Sequence, residues 1–126
     1  MRILLSNDDG ILAPGLAALH EAMADLGDVS VVAPAEPQSA AGQSITVGRP
    51  LCVRSNTIRG SGGFEGLSVN GRPADCVRLA LRELLEDPPD LALSGINHGA
   101  NVGVHVFYSG TIAAAAEATL FGIPAV

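Results

Sequence analysis

Short apolar runs alternate along the chain with segments whose apolar positions recur at helical spacing, and polar, glycine-rich stretches separate the two kinds. Residues 2–5 form a brief β-type run that ends in Ser6, Asn7, Asp8, Asp9 and Gly10, the pattern of a buried strand entering a turn. Pro14 and Gly15 open a predicted helix through Leu26, with Leu16, Leu19, Met23 and Leu26 on one face and Gly27 as its stop. Residues 29–33 repeat the buried-strand pattern, and Pro34 closes it before a loop of small and polar residues from 34 to 43. Residues 45–53 hold two β-branched runs broken by Gly48, Arg49 and Pro50, which predicts a hairpin or a bent excursion. Residues 56–63 read as a mobile surface loop, and residues 67–69 as a short strand before a turn at Asn70 and Gly71. Pro73 fits the first turn of a helix running to about Leu85, with Val77, Leu81 and Leu84 on one face. Asp87, Pro88, Pro89 and Asp90 break it. A third buried strand at 91–93, a polar loop at 94–109 and an Ala-rich helix at 110–121 follow, and a further strand-like run begins at Gly122.

Apolar strands alternating with helices define an α/β fold with a mostly parallel sheet. Ligands in such folds sit beyond the carboxyl ends of the strands. The polar motifs follow the strands at those ends, which brings Asp8, Ser39 and Asn97 within reach of one crevice. No repeat or linker divides the 126 residues, so residues 1–126 are expected to form one domain around one core. The last run reads as a strand that has only begun, and the fold is expected to be incomplete on its C-terminal side.

Composition narrows the chemistry. Hydrophobic residues make up 48% of the chain, yet there are only three Phe, one Tyr and no Trp, so the core must be built from Ala, Val, Leu and Ile. All seven basic residues are Arg and the net charge is −6, which argues against binding a nucleic-acid duplex through its backbone. The absence of Lys removes Schiff-base chemistry and a Walker-type phosphate lysine. A small phosphate remains within reach of a metal ion and backbone amides. Cys52 and Cys76 read as buried small hydrophobes rather than a disulfide or a ligand pair. No signal-peptide pattern and no run near the roughly 20 apolar residues of a membrane span are seen, so a cytoplasmic protein free of membrane is expected.

Asp8 and Asp9 lie side by side directly after the first strand. Two carboxylates held together repel unless a cation lies between them, and a hard divalent ion with oxygen ligands removes that penalty. The competing account makes one Asp a turn former or cap and leaves the other solvated. In the loop from 94 to 103, glycines at 95, 99 and 103 let the backbone approach a ligand, while Asn97 and Asn101 offer neutral donors and acceptors. Ser109, Gly110 and Thr111 open the Ala-rich helix, where free N–H groups and two hydroxyls suit an anion. A simple helix cap accounts for the same residues. His98 and His105 read as solvated loop histidines.

Four blocks in order resemble the SurE family of 5′/3′-nucleotidases: Ser-Asn-Asp-Asp-Gly at 6–10, the stretch from 33 to 46, Asn-Gly-Arg-Pro-Ala-Asp-Cys-Val at 70–77, and Ser-Gly-Ile-Asn leading to Tyr-Ser-Gly-Thr at 94–111. The resemblance covers most of this chain and about the first half of a family member. It implies a Rossmann-like three-layer α/β fold and a metal-dependent phosphomonoesterase acting on nucleoside 5′- and 3′-monophosphates. It implies that Asp8 and Asp9 are catalytic and bind one divalent ion, Mg²⁺ or Mn²⁺, with Ser39 and Asn97 completing the ligands. Asn101, Ser109, Gly110 and Thr111 would hold the phosphate. It also implies a homodimer or homotetramer for the full-length protein, and further active-site residues in a C-terminal half, including a histidine suited to protonate the leaving group. The family commonly has Thr in place of Arg72 and often His in place of Gln43; Arg72 is expected at the surface. Two other accounts stand beside this one. A covalent phosphoaspartate route, as in haloacid-dehalogenase-like phosphatases, goes with a D-x-D spacing and a later Lys that this chain lacks. A non-catalytic module would bind nucleotide and metal without turnover.

Overall fold

The computed structural model describes residues 1–59 and 63–126. Five strands, β1 (Arg2–Ser6), β2 (Asp28–Pro34), β3 (Val53–Ile58), β4 (Phe64–Val69) and β5 (Leu91–Ser94), form one sheet in the order β3-β4-β2-β1-β5. All neighbours run parallel except β3, which pairs antiparallel with β4 at one edge. Central β1 aligns Leu5 with Val31 of β2 on one side and with Leu93 of β5 on the other.

Alternation along the central strands feeds two cores. Leu4, Val32 and Val69 face one way, onto α2 (Pro73–Leu79) and α3 (Gly110–Leu120), where Cys76, Val77, Ala114 and Ala118 complete a buried cluster. Ile3, Leu5, Val31 and Ala33 face the other way, with Leu16 of α1 (Pro14–Met23), Ile11 and Phe64. The result is a three-layer α/β/α sandwich with a mostly parallel sheet, as the alternation of strands and helices predicts. Alanines on α3 let that helix lie close to its neighbours without aromatic bulk.

Several local expectations change. Residues 53–58, half of which fall in the expected surface loop, are strand β3. Their β-branched Val53, Thr57 and Ile58 pair in unbroken register with β4, from Val53 opposite Val69 to Ile58 opposite Phe64, and Asn56 Nδ2 donates to Ser68 Oγ at 2.8 Å. Cross-strand pairing outweighed the nearby glycines, and three of the residues assigned to that loop, 60–62, lie outside the described residues. The hairpin or bent excursion expected at 45–53 carries no regular structure before Val53, where β3 begins. The first helix stops at Met23, so Leu26 leaves its apolar face and is exposed. The second helix changes after Leu79 into a π-helical turn, Ala80–Leu84, closed by Leu85 N–H donating to Ala80 O at 3.0 Å. That wider turn keeps Leu81, Leu84 and Leu85 all against the core. The final run does add to the sheet edge: Ala125 bridges Ala92 in parallel. Cys76 is buried as expected, whereas Cys52 is exposed, and both are free thiols. Among the described residues no helix is long and apolar enough to cross a membrane.

Candidate active site at the carboxyl ends of the strands

From β1 the chain moves first to β2 on one side and later to β5 on the other. The loops leaving β1 and β5 therefore part company and open a crevice at the reversal of strand order. The turn after β1 is built by Asn7, which is buried. Its Oδ1 accepts from Gly10 N–H at 3.1 Å and its Nδ2 donates to Gly10 O at 3.0 Å. This closed ring bends residues 7–10 and presents Asp8 and Asp9 at the strand end.

Three other segments are tied to that carboxylate pair. Gln38 N–H, after β2, donates to the main-chain oxygen of Asp8 at 2.7 Å. Thr111, at the start of α3, donates its hydroxyl to Asp8 Oδ1 at 2.5 Å. His98 N–H, after β5, donates to Asp9 Oδ2 at 3.1 Å. Each carboxylate thus has one oxygen outside these bonds.

Asp8, Asp9, Ser39, Asn97, Asn101 and Ser109 together line one open cleft of about 310 Å³, joined there by His98, His105 and Tyr108. The six come from loops far apart in sequence. Asn97 uses its Nδ2 internally, donating to Gly99 O at 3.1 Å, which leaves its carbonyl oxygen as the atom to offer a cation. Ser109 Oγ caps α3 by accepting from Ile112 N–H at 3.2 Å. The capping account is correct for this serine, yet a hydroxyl that accepts still has a proton to donate. His98 and His105 are exposed, as expected, and line the same cleft.

Gly110 and Thr111 sit behind the cleft wall rather than on it. Thr111 is buried and its hydroxyl is committed to Asp8. At Gly110 a Cβ would lie 2.6 Å from Asp8 Cβ and 2.9 Å from Pro73 Cγ, so only glycine lets the starts of α2 and α3 close around Asp8.

Some contributors were not visible as motifs. Gly15 packs under the loop after β5, where a Cβ would meet Ile96 O at 2.1 Å. Arg72, expected at the surface, is half-buried and its guanidinium hydrogen-bonds Ser44 Oγ and the Ala41 carbonyl oxygen. The Arg72-Pro73-Ala74-Asp75 spacing of a helix start with a carboxylate three residues in signals only the main-chain bond, Arg72 N–H donating to Asp75 Oδ2 at 2.8 Å, and not the guanidinium contacts. An adjoining hollow of about 510 Å³ shares Asp9, Asn97 and His98 with the cleft and adds Ala13, Pro14 and Ile96. A smaller hollow of about 170 Å³ lies at the opposite ends of the strands, around Arg2, Asp28 and Asp87, and carries a surface ion pair, Arg2 with Asp87.

Among the described residues no Arg lines the cleft, so the two adjacent carboxylates face no Arg or Lys side chain there. The donor set of two carboxylates, a hydroxyl and an amide oxygen matches what a hard divalent cation takes. It lacks the three or more His, Cys, Asp or Glu that a softer metal centre would gather; no such cluster occurs among the described residues.

Fold and cleft together define an α/β protein of the Rossmann-like class, with an oxygen-rich pocket at the point where strand order reverses. The sequence profile of the survival protein SurE family matches residues 3–126. The chain belongs to the SurE family. It is 55% identical over its whole length to a protein of Solidesulfovibrio magneticus named 5′-nucleotidase SurE, and 54% identical to one of the same name from Carboxydothermus hydrogenoformans. It covers 49% and 48% of those two proteins. The crystal structure of the SurE protein from Aquifex aeolicus superposes with a TM-score of 0.85 at 45% identity, over 99% of this chain and 49% of that one. The chain spans about half the length of the relatives it matches.

Proposed function

We propose that this chain carries the metal- and phosphate-binding part of a nucleotidase that hydrolyses the phosphate monoester of nucleoside 5′-monophosphates, with 3′-monophosphates as a second substrate. The observation that carries the reading is the convergence of Asp8, Asp9, Ser39, Asn97, Asn101 and Ser109 on one cleft. Similarity to proteins named 5′-nucleotidase supports it.

The residues fit a divalent ion, Mg²⁺ or Mn²⁺, with Asp8, Asp9, Ser39 and Asn97 as its holders. When bound, such an ion supplies positive charge for phosphate oxygens and makes water a better nucleophile at neutral pH. Asn101 and the Ser109 hydroxyl are the donors we assign to the phosphate. Gly110 and Thr111 serve the same anion by bringing the helix start against Asp8. A carboxylate oxygen of the Asp pair takes the proton of the attacking water, the P–O bond to that water forms, and the bond to the ester oxygen breaks. That oxygen leaves as the nucleoside hydroxyl, with a proton from the histidine that the family resemblance implies in the C-terminal half. The adjoining hollow, with Ala13, Pro14 and Ile96, offers apolar surface for the nucleoside. We place the site in a homodimer or homotetramer of the full-length protein, a reading supported by exposed Val104 and Phe107 beside the cleft.

The test is phosphate release from AMP and GMP by the full-length protein, with and without Mn²⁺ or Mg²⁺. Asp8→Asn and Asp9→Asn should each lower the metal-dependent rate by more than about a hundredfold. Unchanged release from Asp8→Asn sinks the assignment. Calorimetric binding of nucleotide and metal without turnover would make the chain a binding module, and a phosphoaspartate trapped at Asp8 would favour the covalent route.

A further inference from the structure

Ser39 is exposed and sits in a loop with little regular structure, next to Ala40, whose φ of +54° is one that alanine rarely adopts. Something must hold that loop if its hydroxyl is to meet the Asp pair. On one side Gln38 N–H is fixed to the main chain of Asp8 at 2.7 Å. On the other side the structure shows a buried clamp. Asp75, 3% exposed, accepts from Thr46 N–H at 2.8 Å through Oδ1, and from the Thr46 hydroxyl at 2.6 Å and Arg72 N–H at 2.8 Å through Oδ2. The Arg72 guanidinium reaches back to Ser44 Oγ and the Ala41 carbonyl oxygen, and Ser44 Oγ donates to the same carbonyl. Gly42 N–H donates to Tyr108 O at 3.0 Å, joining the loop to another cleft residue.

A carboxylate taken out of water needs strong compensation. Here two of the three donors to Asp75 come from Thr46, 29 positions away in the sequence, so Asp75 does more than cap its own helix. The neighbouring Pro73 and Asp8 both pack on Gly110, 2.9 and 2.6 Å from where its Cβ would stand. The start of α2 therefore touches the site from behind and grips the Ser39 loop from its far end.

We infer that Asp75 is a positioning residue for the cation site, acting through Thr46 and the loop to place Ser39 opposite Asp8 and Asp9, with Arg72 bracing the same loop. This rests on the metal-binding reading above. In Asp75→Asn the carboxamide cannot accept at both positions: its Nδ2 must face a main-chain N–H, that of Thr46 or that of Arg72, a donor against a donor, while the Thr46 hydroxyl is free to turn and accept. Thr46→Val removes one bond and keeps the other, and Thr46→Ser restores both.

Three measurements on the full-length protein test it: Mn²⁺ affinity by calorimetry, amide exchange across residues 38–46 by mass spectrometry, and AMP hydrolysis as a function of Mn²⁺ concentration. Asp75→Asn should weaken Mn²⁺ binding by about tenfold or more and speed exchange in 38–46. Its kcat should recover at saturating Mn²⁺. Thr46→Val should move the same way by less, and Thr46→Ser should match the unaltered protein. Folded Asp75→Asn and Thr46→Val variants that keep Mn²⁺ affinity within about twofold of normal overturn the inference, as does a kcat loss that Mn²⁺ does not recover. If Asp75→Asn does not fold, Thr46→Val decides alone. An unaltered protein that neither binds Mn²⁺ nor releases phosphate sinks the functional reading instead, and the exchange of residues 38–46 then still reports whether Asp75 holds the loop.

Discussion

Thr111 and Asp8 stand 103 positions apart, and a single hydroxyl joins them at 2.5 Å in a buried setting. Thr111→Val keeps the shape and removes the donor, leaving a carboxylate oxygen with no protein partner there. The expected cost is about 1–3 kcal/mol of stability, read from urea unfolding, with a loss of Mn²⁺ affinity in the same variant. A Thr111→Val protein as stable as its parent, with intact metal binding, would show that water replaces the hydroxyl without penalty. The two thiols give a second residue-level prediction. Burial, with the Asp75 carboxylate adding to it, pushes the Cys76 thiol well above its ordinary range, whereas Cys52 is open to solvent. Because the thiolate is the reactive form, a thiol reagent should modify Cys52 in the native protein and Cys76 only after unfolding. Peptide mapping after brief labelling reads this directly, and rapid native modification of Cys76 would contradict its burial. At this scale Asp8, Asp9, Ser39, Asn97, Asn101 and Ser109 were legible because each is a polar residue stranded after an apolar strand or before a helix. Asp75 and Gly15 were not, since their roles exist only through contacts with Thr46 and Ile96, which no local pattern encodes.

Among elements, the packing of α2 on α3 rests on small side chains and one ion pair. Glu117 of α3 has a side chain only 3% exposed and accepts from Arg78 Nε of α2 at 2.7 Å, while Arg78 itself is 47% exposed. Arg82 and Arg78 also lie over the ring of Phe121, at 4.9 and 5.9 Å from its centroid. Arg78→Ala strands the Glu117 carboxylate. Since the Arg is half in solvent, screening reduces the loss, and about 1–3 kcal/mol is expected in urea unfolding. Adding Glu117→Gln should restore part of it, because an uncharged side chain costs less to leave unpaired. No recovery in the double variant would mean that Arg78 acts through its contact with Phe121. Strands and helices were readable from their apolar periods wherever packing agreed with local preference. The error at β3 and the change of helix type after Leu79, within a helical run that ends at Leu84 close to where it was expected, share one physical cause. In both, pairing with β4 or contact of Leu84 and Leu85 with the core overrode what the local residues favour, and those partners lie outside any short window of sequence.

For the whole molecule, the sheet does its work by divergence. Strand order β3-β4-β2-β1-β5 sends the loops after β1, β2 and β5 to one rim, and α3 begins at the same rim beneath Asp8. A cation held there would join four segments that otherwise meet through a few hydrogen bonds, so its binding should be felt as stability of the whole fold. The linkage is quantitative: an ion present at 100 times its dissociation constant adds about 2.7 kcal/mol if the unfolded chain does not bind it. For a chain of 126 residues that is a rise of roughly 10 °C in Tm. Mn²⁺ in place of EDTA should therefore shift the thermal transition upward in a concentration-dependent way, and Asp8→Asn should abolish the shift. An Asp87→Asn control at the opposite ends of the strands should retain it, because that carboxylate belongs to the surface pair with Arg2. Equal shifts in all three proteins would mean that the ion binds elsewhere on an acidic surface, and the rim would lose its claim to be a metal site.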